Sequence, residues 1–334
     1  MSLEKTFTGG NLVDINVSMW TGQKRLQAED LGMIATDIND AFSLGRKMLI
    51  PAEILAEFKR LDSLLRNTLV KHSFSFAFGG ARFVPKLKFM DFATDADKII
   101  YQFNRLADDL AANYGQYRQD MRKSYVEAAH EAYARAQSLT KGFSKDETEF
   151  INEFIERIEK AYPDAKEIRG RFSMEYTVFQ VALPDLTRAK YDDLVEEDAK
   201  IRMMQEAHQK ALYKKIHDFV DTSVNELRGK ATKVLQRMSD LIASDRAFNE
   251  SSLTTMRNMV DDYEKLDFVG DEQFIKHLKY FRMKCIDGYT AKTILNDKVV
   301  RETILRELKK ILVVAVDRSA IDALANKYRQ GIGN

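Results

Sequence analysis

The chain has 334 residues, of which 45% are apolar and 31% are charged, and this balance excludes an intrinsically disordered protein. Its formal net charge of +1 excludes attraction to nucleic acid through overall charge, so such binding would need a local basic patch. Cys285 is the only cysteine, which excludes an intramolecular disulfide and a thiolate metal cluster.

The sequence gives no sign of export or membrane insertion. The N-terminal segment MSLEKTFTGG lacks the basic and apolar regions of a signal peptide. The longest apolar run, ILVVAV near Ile311, is far shorter than the roughly 18 residues of a membrane-spanning helix. We therefore expect a cytoplasmic protein without membrane contact.

Residues 1–90 are predicted to contain a strand, helices and a β-hairpin. In NLVDINVSMW, apolar and polar residues alternate, which is typical of a half-buried strand. From Glu53 to Val70, apolar residues recur at a spacing of three or four, which predicts an amphipathic helix. Pro51 lies near its start, where a missing amide donor costs little.

The stretch KHSFSFAFGGARFVP, residues 71–85, interrupts this helical spacing. Phe74, Phe76 and Phe78 recur at every second position before Gly79-Gly80, which predicts a tight hairpin with the three rings on one face. That face is either the buried side of the hairpin, covered by a helix, or an exposed surface on which bases stack. We favour the buried interpretation, because so apolar a face is normally covered.

Residues 91–246 are predicted to form a long helical hairpin, interrupted by a short helix and a third strand within 163–184. Apolar spacing of three or four continues from about Asp91 to Leu139. The shorter helix runs from about Ser144, where SKDE is a possible capping box, to Tyr162. The strand, in RFSMEYTVFQVALP, changes its apolar face at Phe179, which suggests a bulge or a strand that leaves one layer for another.

A second long helix is predicted from Lys190 to Leu241, a segment without proline. Its apolar residues alternate steps of four and three, as in a heptad seam: Val220, Val224, Leu227, Ala231, Val234, Met238 and Leu241. The two long helices most simply pair with each other. Residues 247–334 are predicted to be a C-terminal helical region. The expected fold is mainly α (α+β), with long antiparallel coiled-coil-like helices and a small antiparallel β-sheet of about three strands.

The strongest candidate contact residues are cations that flank the predicted strands. They are Lys24, Arg25, Lys71, Arg82, Lys86, Lys88, Arg169 and Arg171. If the strands pair, these side chains could form a basic rim that contacts single-stranded nucleic acid or a partner. The alternative is that they protect exposed strand edges from aggregation.

Catalytic patterns are missing from the sequence. It contains no P-loop, dinucleotide-binding, zinc-protease or serine-hydrolase motif. The five histidines lack ligand spacing, and the neighbouring acidic pairs diverge by about 100° on a helix. We therefore expect neither a metal nor a cofactor, and a protein that is not an enzyme.

The order of several motifs resembles one family. LVDINVSMWTGQKRLQAEDLG, a phrase ending in LGRKMLIP, FKRLDSLLRNTLVKHSFSFAFGGARFVP, RFSMEYTVFQVALP and YEKLDFVGDEQF are similar to the bacterial and phage family called domain of unknown function 3150. The family has no assigned activity, so no catalytic residue is carried over. The resemblance implies a phage or mobile-element origin, often beside a MoxR-type AAA+ ATPase and a von Willebrand A-type protein.

Two functional hypotheses follow, and an enzyme is a third possibility, because carboxylates scattered in the sequence can converge in space. The first is a non-catalytic helical adaptor or scaffold that self-associates, works with the AAA+ ATPase, or does both; its basis is the long seam-bearing helices. The second is a nucleic-acid-binding protein, for DNA recombination or protection, that uses the basic rim of the small sheet.

Overall fold

The computed structural model describes residues 9–28, 45–76, 79–139, 143–179, 197–244 and 248–330. The strands in these residues are β1 (Gly10–Ser18), β2 (Gln23–Arg25), β3 (Arg46–Met48), β4 (Phe74–Ser75), β5 (Arg82–Pro85) and β6 (Ser173–Phe179). The helices are α1 (Ala52–Lys71), α2 (Lys86–Leu139), α3 (Glu147–Glu159), α4 (Ala165–Ile168), α5 (Glu197–Ser244), α6 (Glu250–Leu266), α7 (Glu272–Phe281), α8 (Ala291–Asn296), α9 (Lys298–Ala315) and α10 (Arg318–Gln330). The fold is mainly α with a small antiparallel sheet, as the sequence predicts.

The chain divides into two compact units, each built from separate segments of sequence. The first unit contains Met1–Asp14, Thr68–Thr94 and Thr177–Asn334, and the second contains Ile15–Asn67 and Asp95–Tyr176. Among the described helices, none combines the length and the apolar character that crossing a membrane requires.

The larger sheet has four strands in the order β4-β5-β1-β6. β5 is antiparallel to both neighbours, so that Phe83 lies opposite Phe74 of β4 and Leu12 of β1. The predicted hairpin is therefore present, and it contributes two strands rather than one. Gly79 has a φ of +62°, which is the left-handed conformation that its position in the turn requires.

The phenylalanines of the hairpin are buried in the core of the first unit. Phe74 and Phe76 are 1% and 6% exposed. The Phe74 ring contacts Phe268 with centroids 5.5 Å apart, and the Phe76 ring contacts Phe219 of α5 at 4.9 Å. Phe83 contacts both Phe219 and Phe268. The buried interpretation of the ladder is thus confirmed for these two residues, while Phe78 lies outside the described residues.

The predicted seam of α5 forms the rest of this core. Val220, Val224, Leu227, Ala231 and Met238 are buried in one cluster with apolar residues of α6 and α9. Because α6, α9 and α10 pack along α5, the partners of the seam within the first unit are the C-terminal helices. Pairing of the two long helices with each other stays a prediction.

The second unit has its own aromatic and aliphatic contacts. Phe58 of α1 stacks on Phe172 at 4.5 Å and meets Phe103 of α2 edge-on at 5.0 Å. A smaller cluster joins Leu49, Ala129 of α2 and three residues of α3, which are Phe154, Ile155 and Ile158.

One predicted boundary differs from the structure, and one predicted feature is not tested by it. The shorter helix begins at Glu147 and not near Ser144, because the side chain of Asp146 caps it by accepting from the amides of Thr148 and Glu149. The third strand is described up to Phe179, so the predicted change of face after it falls outside the described residues.

Candidate binding surfaces

The eight predicted cations divide between the two units. Lys71, Arg82, Lys86 and Lys88 belong to the first unit, whereas Lys24, Arg25, Arg169 and Arg171 belong to the second.

Lys88 is a buried structural cation. Only 3% of its surface is exposed, and its Nζ pairs with Asp91 at 3.1 Å and with Asp262. Lys265 pairs with Asp91 at 2.8 Å, and this hydrogen bond, with that of Lys88, holds the pKa of the Asp91 carboxyl below its usual value. Since Lys88 is enclosed by these carboxylates, its charge is already neutralised.

Arg82 joins the hairpin to the end of α1. Its Nε donates to Ser73 Oγ at 2.7 Å, and the Ser73 hydroxyl donates to the Leu69 carbonyl. Partial burial lowers the pKa of Arg82 from its ordinary value. Lys71 and Lys86 are exposed. Of the four cations in this unit, these two are the ones open to an external ligand.

In the second unit, Arg169 and Arg171 are held by neighbouring polar groups. Arg169 pairs with Asp108 at 2.5 Å and donates to Asn104 at 3.1 Å and to the Phe172 carbonyl at 2.9 Å. Arg171 pairs with Glu167 at 3.1 Å. Both side chains therefore stabilise the segment that directly precedes β6.

Lys24 and Arg25 lie together in β2, and both are exposed. β2 pairs with β3 in a separate two-stranded sheet, which adds Arg46 and Lys47 to the same cation cluster. Sequence reasoning missed these two residues, although RK stands directly after Gly45. Strands of three residues give no usable periodicity, so their pairing over twenty residues of chain was not predictable.

An apolar groove opens on the first unit between the end of α1 and the helices α5 and α6. Its volume is about 400 Å³. The lining residues are Val70, Lys71, Leu227, Lys230, Ala231, Val234, Thr255, Asn258, Met259, Asp262, Tyr263 and Leu266. Val70 is 46% exposed at its edge. No motif in the sequence marks this groove, because three helices distant in sequence build it.

A buried charged network lies deeper in the first unit. Arg228 and Asp271 are 3% and 5% exposed and form a bidentate pair with N–O distances of 2.8 and 2.9 Å. The Tyr263 hydroxyl also donates to Asp271 at 2.8 Å, and burial raises the pKa of Tyr263 so that it stays protonated. Arg228 further donates to the Val314 carbonyl at 3.0 Å. With all partners satisfied, the network is a structural connection among helices.

The potential metal ligands and the cysteine of the described residues do not form a metal site. No group of three or more His, Cys, Asp or Glu side chains among them has the arrangement of a metal site. Cys285 is buried, and burial raises the pKa of its thiol to about 11. At neutral pH this cysteine is a protonated core residue.

Comparisons with known proteins identify a family without an assigned activity. Comparisons with curated proteins and with solved structures gave no match. The family described as "Protein of unknown function (DUF3150)" matches residues 10–281, which include both sheets, the hairpin and the helices through α7. Because this match covers most of the chain, the protein belongs to the DUF3150 family.

Proposed function

We propose that this protein is a non-catalytic helical scaffold that binds a helix of a partner, the MoxR-type AAA+ ATPase, in the groove of the first unit. The main support is the groove itself, in which Val70 is exposed and Met259 is half-buried above an apolar floor. Concave apolar surfaces with polar rims are characteristic of protein-binding sites.

The groove has suitable dimensions for a short helix. Its wall on α6 extends from Thr255 to Leu266, which is about 16 Å at 1.5 Å per residue. That length corresponds to about three helical turns. A partner helix would place apolar side chains spaced by three, four and seven residues along the floor.

The charges at the groove favour an acidic partner. Lys71 is exposed at the edge and has no ion-pair partner within the part of the chain that the structure describes. Asp262, the acidic residue of the lining, is neutralised by Lys88. The preferred occupant is therefore an amphipathic helix with a carboxylate beside its apolar face. The genomic association of the family with the ATPase supports the ATPase as the protein that supplies this helix.

Size-exclusion chromatography with light scattering, on the protein alone and with the ATPase, tests this proposal. We expect a complex with the ATPase. Val70→Glu should weaken it at least about tenfold, because a charge buried without a partner loses its hydration. The matched control is Val299→Glu, which introduces the same charge at a 73% exposed position outside the groove and should leave the complex intact.

Three outcomes would count against the proposal. A monomer that does not bind the ATPase would exclude it. Equal loss of binding in Val70→Glu and Val299→Glu would exclude the groove as the contact site. A homodimer that dissociates only in Val70→Glu would assign the groove to a second copy of the chain in place of the ATPase.

A further inference from the structure

The two-stranded sheet of the second unit, hereafter the basic ribbon, consists of β2 (Gln23–Arg25) and β3 (Arg46–Met48). Four of its six residues are cations, and none is acidic. The strands are antiparallel, with Lys24 opposite Lys47 and Arg25 opposite Arg46. In both of these cross-strand pairs, a cation thus lies opposite another cation.

The pairing of Arg25 with Arg46 is unfavourable without an anion. Side chains directly opposite each other in an antiparallel pair share one face, with Cβ atoms about 4.5–5.5 Å apart, and like charges there destabilise the sheet. Arg25 and Arg46 are both exposed on that face. In the described residues, no carboxylate forms an ion pair with Lys24, Arg25 or Arg46. Within the described part of the chain, the Arg46 side chain donates to Gln23 Oε1 at 3.2 Å.

The ribbon is nevertheless held in place by the second unit. The Leu49 amide donates to the Gly22 carbonyl at 2.8 Å, and the Tyr125 hydroxyl of α2 donates to the Met48 carbonyl. Leu49 itself is buried in the cluster with α3. A ligand would therefore meet cations that are already positioned, which lowers the entropic cost of binding.

We propose that the basic ribbon binds the phosphodiester backbone of a nucleic-acid strand. A guanidinium presents a planar pair of donors that matches a phosphate, and two neighbouring guanidiniums suit successive phosphates. Because side chains alternate along a strand, Lys24 lies on the opposite face from Arg25 and Arg46. Lys47, opposite Lys24, is buried, so the exposed cations of the ribbon are Lys24 on one face and Arg25 and Arg46 on the other. Exposed cations on both faces follow an extended polyanion better than they enclose one phosphate. Contacts of this kind carry little base specificity.

Fluorescence anisotropy with a labelled single-stranded oligonucleotide and the matching duplex, at several salt concentrations, tests the inference. For single strands, each phosphate contact contributes about 0.7 to the slope of log affinity against log salt. Arg25→Ala combined with Arg46→Ala should therefore reduce the slope by about 1.4 and weaken binding about 25-fold at roughly 0.1 M salt.

The matched control is Arg60→Ala combined with Arg66→Ala. It removes the same two charges from the exposed face of α1 in the same unit, where each arginine pairs with an acid of its own helix. We expect no change in affinity or slope. A second readout is thermal melting, because the ribbon variant loses a like-charge repulsion and should melt no lower than the natural protein.

The inference is wrong if no binding occurs at about 50 mM salt, where phosphate contacts are strong. It is also wrong if both double variants lose affinity equally. Inorganic tripolyphosphate serves as the competitor: if it binds as tightly as the oligonucleotide, the ribbon recognises isolated phosphates and not a strand.

Discussion

Phe76 lies where the hairpin meets α5. Its packing distinguishes a buried core role of the hairpin phenylalanines from an exposed base-stacking role. Its ring meets Phe219 at an interplanar angle of 70°, which is a favourable edge-to-face contact. Phe219 in turn stacks on Phe268, so the hairpin rings join an aromatic cluster that includes a helix and the loop after α6. These rings are therefore not available for stacking on bases.

Phe76→Ala should cost about 3–5 kcal/mol of the free energy of unfolding, the usual loss for a core phenylalanine. Thermal and urea melts measure this loss, which is a large part of a typical domain's stability. The control is Ser75→Ala, an exposed neighbour. Arg82 is unsuitable as a surface control because it hydrogen-bonds to Ser73. An unchanged melting temperature in Phe76→Ala, with nucleic-acid binding weakened by about 1–3 kcal/mol, would restore the stacking interpretation.

The period-two pattern made the burial of Phe74 and Phe76 predictable, whereas the roles of the cations were not. The sequence places Lys88 and Arg82 beside the hairpin, which suggested a basic rim. The structure encloses Lys88 with Asp91 and Asp262, the second of which is 174 positions away. A lysine that pairs with distant carboxylates has the same local sequence as one that stays free, so only tertiary structure distinguishes them.

At the scale of elements, the Arg228 network connects four helices of the first unit. Arg228 of α5 reaches Asp271, which precedes α7, and the carbonyl of Val314 in α9, while Tyr263 of α6 donates to the same carboxylate. The Arg228 guanidinium also lies 5.0 Å from the centre of the Phe274 ring. Because these groups lie in α5, α6 and α9 and at the start of α7, the network fixes how the C-terminal helices pack on α5.

Arg228→Met should destabilise the protein by about 3–5 kcal/mol, because it leaves the Asp271 carboxylate charged and buried. Adding Asp271→Asn should recover much of this loss, since the amide oxygen can still accept from Tyr263 and no buried charge remains. The control is Arg306→Met, at a position that is 66% exposed and should change stability by less than about 1 kcal/mol. A double variant no more stable than Arg228→Met, measured in urea melts, would contradict this account.

Element lengths explain which parts of the fold were predictable. The period of three to four continues for many turns in α2 and α5, so both long helices were predicted close to their observed bounds. β2 and β3 have three residues each and offer no repeat to detect. The basic ribbon was therefore missed, although Lys24 and Arg25 were recognised as candidate contacts.

At the scale of the whole molecule, the family match and the folded core do not end at the same place. The match stops at residue 281, but α9 continues the core of the first unit. Ile304, Leu308 and Ile311 of α9 are between 0% and 5% exposed and belong to the same cluster as the α5 seam. The C-terminal helices are therefore an integral part of that core.

Ending the chain after Thr290 should abolish cooperative unfolding of the first unit, because it removes α8, α9 and α10 and exposes the apolar seam of α5 to water. We expect poor solubility or strong binding of a hydrophobic dye, with helical circular dichroism but a broad melt. Leu308→Ala is the graded version of this change and should cost about 2–5 kcal/mol without altering chain length. If the shortened chain is soluble and melts as sharply as the natural protein, α9 covers the core without being required for it, and the family segment folds by itself.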